Sequence, residues 1–535
     1  MKIYQRILAA LLLVASSTLN SQTTYEGQYA DIKVGPHNKL NKKHYVREFA
    51  SVTDGSYFQY STSSKALGFT RYSDDLIPQS FDEIQKLKSG YGVYEELFTW
   101  NGKGYIVYTD FDKKNTTEIL KFYKIDLDEV QSGIEEFDVL QIPEKLSGDL
   151  AATGFYKYST FNKFKVLYKD SSDYLAVLCS PVLDKKDKKK GDESQERRYF
   201  INFIDKDLSL KSSAEFKVYG DIIDYKYEDD KFYLFYHDSK LGKNKLTSVL
   251  TIVRVDLNTG KTEIKVNNLE RDQLKNVLIS FDDNNRGMIM GYYLNNKKTL
   301  IGYYSMTLDL ESMTIGKPKL YPFSRDLMKE GESERMVKKI DKADDKGKEV
   351  GLNSLKPRRI VQRKDGGFYL VGEQYSFYIT TYVDSKGNVR YTYHYVHGDE
   401  YVASVNAAGE QLWVVKVPKQ QHFTNIYIYG GIYVASYKDN LYILKNNLKI
   451  NEEKEDGVPV QMSNSGLSYK KSSFVITKIS PSGTVTHEYF NDLDAEKFLF
   501  PIKNIDKVGD NKFTVHLGGT YGIKKANKLS VITLK

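Results

Sequence analysis

Along this chain, apolar and polar positions alternate in short runs that are broken by turn residues, and one phrase keeps returning. An apolar or alternating segment leads into a Gly, Asp or Asn turn and out into an aromatic-rich strand. It appears as "SVTDGSYFQYS" (51–61), "FTWNGKGYIVYTD" (98–110), "LYKDSSDYLAVLCS" (167–180) and "YKYEDDKFYLFYHD" (225–238). It returns as "ISFDDNNRGMIMGYY" (279–293), "VQRKDGGFYLVGEQ" (361–374), "IYIYGGIYVASYKD" (426–439) and "IDKVGDNKFTVHLGG" (505–519). Period-two alternation around such turns predicts β-hairpins. A second hairpin follows most copies, most plainly in "LTIVRVDLNTGKTEIKV" (250–266), "YVASVNAAGEQLWVVKV" (401–417) and "SFVITKISPSGTVTHEYF" (473–490). Two hairpins per unit make a four-stranded antiparallel sheet, and a row of such units predicts an all-β fold, a β-propeller of eight blades, with seven as the alternative. The final strand "NKLSVITLK" (527–535) lacks a returning neighbour, and "TYEGQYADIKV" (24–34) is available to share its blade and close the ring. Residues 22–535 are therefore expected to form a single propeller domain.

Four segments exceed the hairpin rhythm: 181–198, 324–356, 375–399 and 446–471. In a meander of this kind they are expected to lie on one face, as B–C loops or crossovers between blades, and binding residues concentrate on loops held by rigid scaffolds. Within the second, "SRDLMKEGESERMVKKIDKADDKGKE" reads as a helix capped by Ser324, with Met336, Val337 and Ile340 along one edge.

Residues 1–21 change the setting. Lys2 and Arg6 precede an apolar run from Ile7 to Val14 and a small, polar stretch ahead of Gln22, the layout of a secretory signal peptide. No Cys follows that run and no later one reaches spanning length, so the expected product is soluble, periplasmic or extracellular, with no lipid anchor and no membrane span. Cys179 is the one cysteine of the chain, which rules out an intrachain disulfide and leaves burial to hold the fold. The formal charge is +8, or 8 − 2 = +6 without Lys2 and Arg6, and acids and bases are interleaved, which argues against nucleic acid as partner.

Candidate chemistry is sparse. His394, His397 and Asp399 stand in "YTYHYVHGDE", but residues three apart on a continuous strand face opposite sides, so a metal site is not expected. "TDFDKKN" (109–115) has carboxylates at turn spacing without the Gly or distal Glu of a calcium loop. There is no Gly-x-Ser-x-Gly elbow, and Trp413 has no counterpart in other units of the kind a quinone-dependent propeller repeats. No cofactor is expected.

The run "DGGFYLVGEQY … YVASVNAAGEQLWVVKVPKQQ … KDNLYILKNN", within 355–448, resembles a family of uncharacterised exported β-propeller proteins of Bacteroidetes-type bacteria. The resemblance marks Gly372, Glu373, Gln374, Gly409, Trp413, Pro418, Lys419 and Gln421, with Gln420 where that family usually shows Arg. It implies the fold and export, and no chemistry. Two functional expectations result. The first is a non-catalytic binding or assembly scaffold of the cell envelope, holding a protein or glycan through Glu373, Gln374, His394, His397, Asp399, Trp413, Lys419 and Gln421. The alternative is a polysaccharide-active hydrolase or lyase using carboxylates in the channel.

Overall fold

The computed structural model describes residues 22–38, 45–51, 55–62, 66–85, 93–127, 134–153, 157–169, 172–182, 196–241, 246–269, 274–282, 284–295, 299–346, 350–352, 354–454, 460, 469–496, 499–518 and 527–535. The leader expected at 1–21, most of the 181–198 insertion and much of 446–471 lie outside these residues. The chain is all-β in character. Among the described residues, its strands form eight sheets of four or five strands and one two-stranded sheet.

In seven of the larger sheets the first four strands follow one another in chain order, as alternating apolar runs joined by short turns require, and in two of these a fifth strand pairs back with the third. A typical case is Tyr174–Cys179, antiparallel to Arg197–Asp205. The eighth sheet mixes the two ends of the sequence. Ala30–Val34 pairs with Asn527–Leu534, Ala30 opposite Leu534 and Val34 opposite Ser530, and Lys512–Gly518 and Ile505–Lys507 follow outward from it.

Two compact units are present: residues 43–71 with 80–273, and residues 1–42 with 72–79 and 274–535. The first is built around aromatic stacks such as Phe98, Tyr105 and Phe122, with Cys179 in the same core. Burial pushes the Cys179 thiol up to about 12, so it is a packing residue and not a nucleophile. The second unit has three apolar cores, and its sheet over 355–424 carries the residues of interest. That sheet comprises β1 (Leu355–Gln362), β2 (Phe368–Val383), β3 (Val389–Val405), β4 (Gln411–Val417) and β5 (Gln421–Thr424), with β5 pairing with β3.

Two expectations change here. Residues 375–399 are not a loop: β2 and β3 run on as one long hairpin, from Tyr375 opposite His397 to Val383 opposite Val389. The cause is visible in "SFYITTYV" and "VRYTYHYV", where β-branched and aromatic residues continue on both sides of a tight Asp384–Asn388 turn. The helical crossover is also divided. Helix α1 (Arg325–Lys329) has Ser324 Oγ accepting from Leu327 N at 3.2 Å, and helix α2 (Glu334–Asp344) follows Gly331, whose φ of +65° stops the first.

Gly372 shows how tightly β2 is packed. A Cβ added there lies 1.7 Å from the Tyr292 hydroxyl oxygen, itself buried without a partner among the described residues. Gly372→Ala is expected to cost about 1–3 kcal/mol in urea unfolding through overpacking, and Tyr292→Phe in the same chain to recover part of it.

Candidate functional site

The stretch "KDGGFYLVGEQYS" supplies the site's central strand. Arg363 N donates to the Gly367 carbonyl across the turn, Gly366 takes a φ of +80°, and Phe368–Val371 enter the core. The register then slips twice at one level. It shifts between Pro357 and Arg359 on β1, and between Glu373 and Tyr375 where β2 meets β3. Bulges of this kind re-aim side chains. Here they bring Arg358 and Glu373 together, with Arg358 Nε donating to Glu373 Oε2 at 2.7 Å.

The Glu373 carboxylate is wholly buried. Besides Arg358, it accepts from Lys419 Nζ and lies 3.1 Å from His397 Nδ1. Burial alone would push this carboxyl up; Lys419, His397 and Arg358 together outweigh it and hold Glu373 well below the usual carboxylate range. Burial lowers the His397 pKa despite Glu373, so the neutral ring donates Nδ1–H to the carboxylate. Its Nε2 is buried and has no hydrogen-bond partner among the described residues.

Charge compensation continues outward. Lys419 Nζ also lies 3.3 Å from Glu400, whose two oxygens each accept from Lys445 at 3.0 Å. Asp399 Oδ1 accepts from Lys419 N at 2.9 Å, and its other oxygen lies 3.0 Å from Lys416. Lys416 in turn holds α1 and α2 in place through the Glu330 carbonyl (2.7 Å) and Glu332 (3.0 Å). Burial is the main reason that the Asp399 pKa is raised and the Lys445 pKa lowered.

Of the residues singled out from the sequence, Glu373, Gln374, His397, Asp399, Lys419 and Gln421 are brought together. Gln374 Oε1 accepts from Asp399 N at 3.3 Å, and Gln421 bridges Asn446 O (2.5 Å) and Gly431 N (2.9 Å). His394 stands apart, stacked on Tyr378 at 4.5 Å, with Nδ1 2.9 Å from His422 Nε2 and Nε2 2.8 Å from Thr380 Oγ1. Trp413 is elsewhere again, its Nε1 donating to Pro481 O at 2.8 Å while the ring covers Gly483. Arg358, Glu400, Lys416, Lys445 and Lys503 were not foreseen. The signal was there in "VVKV", "ILKN" and "GDEYVAS", where a charge interrupts a run that alternation or burial would fill with apolar residues. Asp112, in the "TDFDKKN" turn, spends its oxygens on Lys114 N, Asn115 N and Asn115 Nδ2.

A cleft of about 390 Å³ opens beside this network, walled by Met328, Met336 and Ile340 of the helices and by Gln374, Tyr375 and Ser376 of β2. Beyond it the hairpin is exposed. One face presents Phe377, Ile379 and Val383 opposite Tyr395, Tyr393 and Val389, with Ile379 48% and Val383 65% accessible. β1 stops opposite Gln374, so from Ser376 to Val383 the outer edge of β2 faces no strand among the described residues.

No family model matches the chain, and no curated protein does. Solved structures do. The β-propeller domain of the Trilobed protease from Pyrococcus furiosus is 9% identical with a TM-score of 0.31, over 71% of this chain and 95% of that one. Prolyl oligopeptidase B from Galerina marginata is 10% identical with a TM-score of 0.38, over 92% of this chain, which spans only 55% of the enzyme. An acylaminoacyl peptidase from Pyrococcus horikoshii is 10% identical with a TM-score of 0.35, over 91% and 59% of the two chains. The likeness is thus to propellers of peptidases, and no Bacteroidetes-type family is attached to the chain. It corrects the expected role as a non-catalytic envelope scaffold, and the polysaccharide alternative is withdrawn with it.

Lys419→Met is expected to cost about 3–5 kcal/mol at pH 7, because it strands a buried carboxylate. The Glu373 pKa is depressed in the folded chain, so its contribution is complete above the ordinary value of 4.5 and is lost as pH falls through the folded value. The gap between wild type and variant in urea melts is therefore expected to narrow on acidification below 4.5. A gap that stays constant to the acid limit would remove Glu373 from the account.

Proposed function

We propose that the protein handles polypeptide in extended form, as the substrate-holding part of peptide turnover. A single observation carries this reading: the unpaired edge of Ser376–Val383 runs straight out of the cleft and contains no proline, charge or bulge. Uninterrupted edges of that kind are blunted in most proteins because they recruit strands. Left open beside a cleft, the edge suits strand addition, in which main-chain hydrogen bonds supply affinity and alternate side chains supply selection. The methionines of the cleft wall add an adaptable apolar surface for side chains of differing shape. Peptide in this extended form is also the form presented for cleavage.

In the same reading, the eight larger sheets are propeller blades and the Ala30–Val34/Asn527–Leu534 pairing closes the ring. Export by a leader over residues 1–21 is supported by its charge and apolar pattern.

The test is fluorescence anisotropy with a labelled eight-residue peptide of alternating valine and threonine, against an analogue with proline at its two central positions. The first is expected to bind and the second not. Phe377→Glu/Ile379→Glu, on an exposed face and so harmless to folding, is expected to weaken binding by at least about tenfold. Equal binding of the two peptides would sink the strand-addition reading.

A further inference from the structure

The hairpin of β2 and β3 has a hydrogen-bonding phase that its own contacts set. Asp384 N donates to Asn388 O at 2.9 Å, so the pair that closes the turn is a hydrogen-bonded one. Bonded and non-bonded pairs alternate along an antiparallel ladder. With the register running from Val383 opposite Val389 to Tyr375 opposite His397, the even-numbered residues of β2 bond to β3. The odd-numbered ones turn N–H and C=O to the outer edge. Tyr375 agrees with this phase, since its N–H donates outward to Ser354 O at 2.9 Å. Beyond it, Phe377, Ile379, Thr381 and Val383 face no strand among the described residues.

The other edge of the hairpin is occupied near its root. β5 pairs with β3 from His394 to His397. Asn425 then plugs Tyr393, its N–H donating to Tyr393 O at 2.8 Å while its Oδ1 accepts from Tyr393 N at 3.0 Å. Pairing through the hairpin is thereby directed to β2.

We propose that two copies of the chain join edge to edge through Ser376–Val383, antiparallel about a two-fold axis. One register uses all four outward-facing residues of both copies: Phe377 opposite Val383 of the second copy, and Ile379 opposite Thr381 of the second copy. A slip of two residues sets Val383 against Tyr375, whose N–H is already taken, or Phe377 against the turn at position 385. The full register supplies about eight main-chain hydrogen bonds, two from each facing pair. It also brings Phe377 to Val383 on one face and Tyr378 to Tyr382 on the other, aromatic and β-branched pairs of the kind that stabilise a sheet. The segment carries no charge, so the two-fold sets no like charges together. Tyr375 of the second copy falls ten residues along, opposite position 385, which holds the two hairpin roots about 33 Å apart. The dimer shares its edge with the peptide reading and does not rest on it.

The register centres on Thr380, which meets its own counterpart across the axis as a non-hydrogen-bonded pair. Cα atoms of such pairs lie about 4.5 Å apart, within the span a disulfide bridges. Cys179 is buried, so Thr380→Cys supplies the accessible thiol. Under mild oxidation, Thr380→Cys is expected to become a disulfide-linked dimer at least about tenfold faster than Ile379→Cys or Thr381→Cys, neither of which faces itself. In sedimentation velocity the wild type is expected to show a monomer–dimer equilibrium. Thr381→Pro loses an N–H that points outward and takes nothing from β3, so it is expected to be monomeric with an unchanged Tm. A wild type that stays monomeric at high concentration, or equal cross-linking at the three positions, would overturn the dimer. The valine–threonine peptide is expected to dissociate it. A dimer that persists with no peptide bound would count against the peptide reading alone, and peptide bound to a wild type that never dimerises would count against the dimer alone.

Discussion

A carboxylate with no access to water has to be matched inside the protein, and Glu373 is that carboxylate. Leaving it ionised without partners would cost far more than this fold could recover from packing. The structure answers with three donors from three places: Arg358 on the neighbouring strand, His397 across the hairpin and Lys419 from the turn after β4. Each requirement distorts something. The two register shifts place Arg358 and Glu373, and the Pro418–Gln421 segment must cross the base of the hairpin to present Lys419 and lead into β5. The result is a clamp. The root of the hairpin is pinned by charge, and only its outer half is free to project.

The projecting half carries a composition that invites association. Its apolar face is aromatic on both strands, and its edge is open. The tip is different in character: Asp384 accepts from Lys386 N and Asn388 N and pairs with Arg390 at 2.9 Å. A membrane-inserting hairpin would have to bury that polar turn first, at the cost attached to desolvating charges. A hydrated tip with an apolar flank fits a partner that lies alongside the hairpin and uses its edge, which is the geometry of an added strand.

Much of this was legible in the sequence because alternation is a local signal. Strand–turn–strand units, the pairing partners of each hairpin and the core positions all follow from period-two patterning and turn residues. The same logic was missed at 375–399, where polar and aromatic residues alternate without a buried side, so the continuation of the strands carried no apolar stripe to announce it. Gly331 hid the break between α1 and α2 within a run otherwise good for helix. The cluster was half visible: "GEQ" and "PKQQ" stood out, but Lys416, Lys445 and Glu400 make sense only once strands distant in sequence lie side by side. Lys503, in the unremarkable "FPIKNID", comes near His397 only because Gly431 lies beside both in the folded chain.

The paired core and the rim of this network have different consequences. Lys416, Lys419 and Lys445 are saturated by carboxylates, wholly or almost wholly buried, and held by strands, so they contribute a fixed field and no room for a ligand. Lys503 sits at the rim of that field, beside Gly431 and exposed to solvent. The apparent inefficiency of burying Glu373, Asp399 and Glu400 with Lys416, Lys419 and Lys445 then has a physical rationale. It fixes the base of the hairpin, from which the exposed half of β2 and β3 projects.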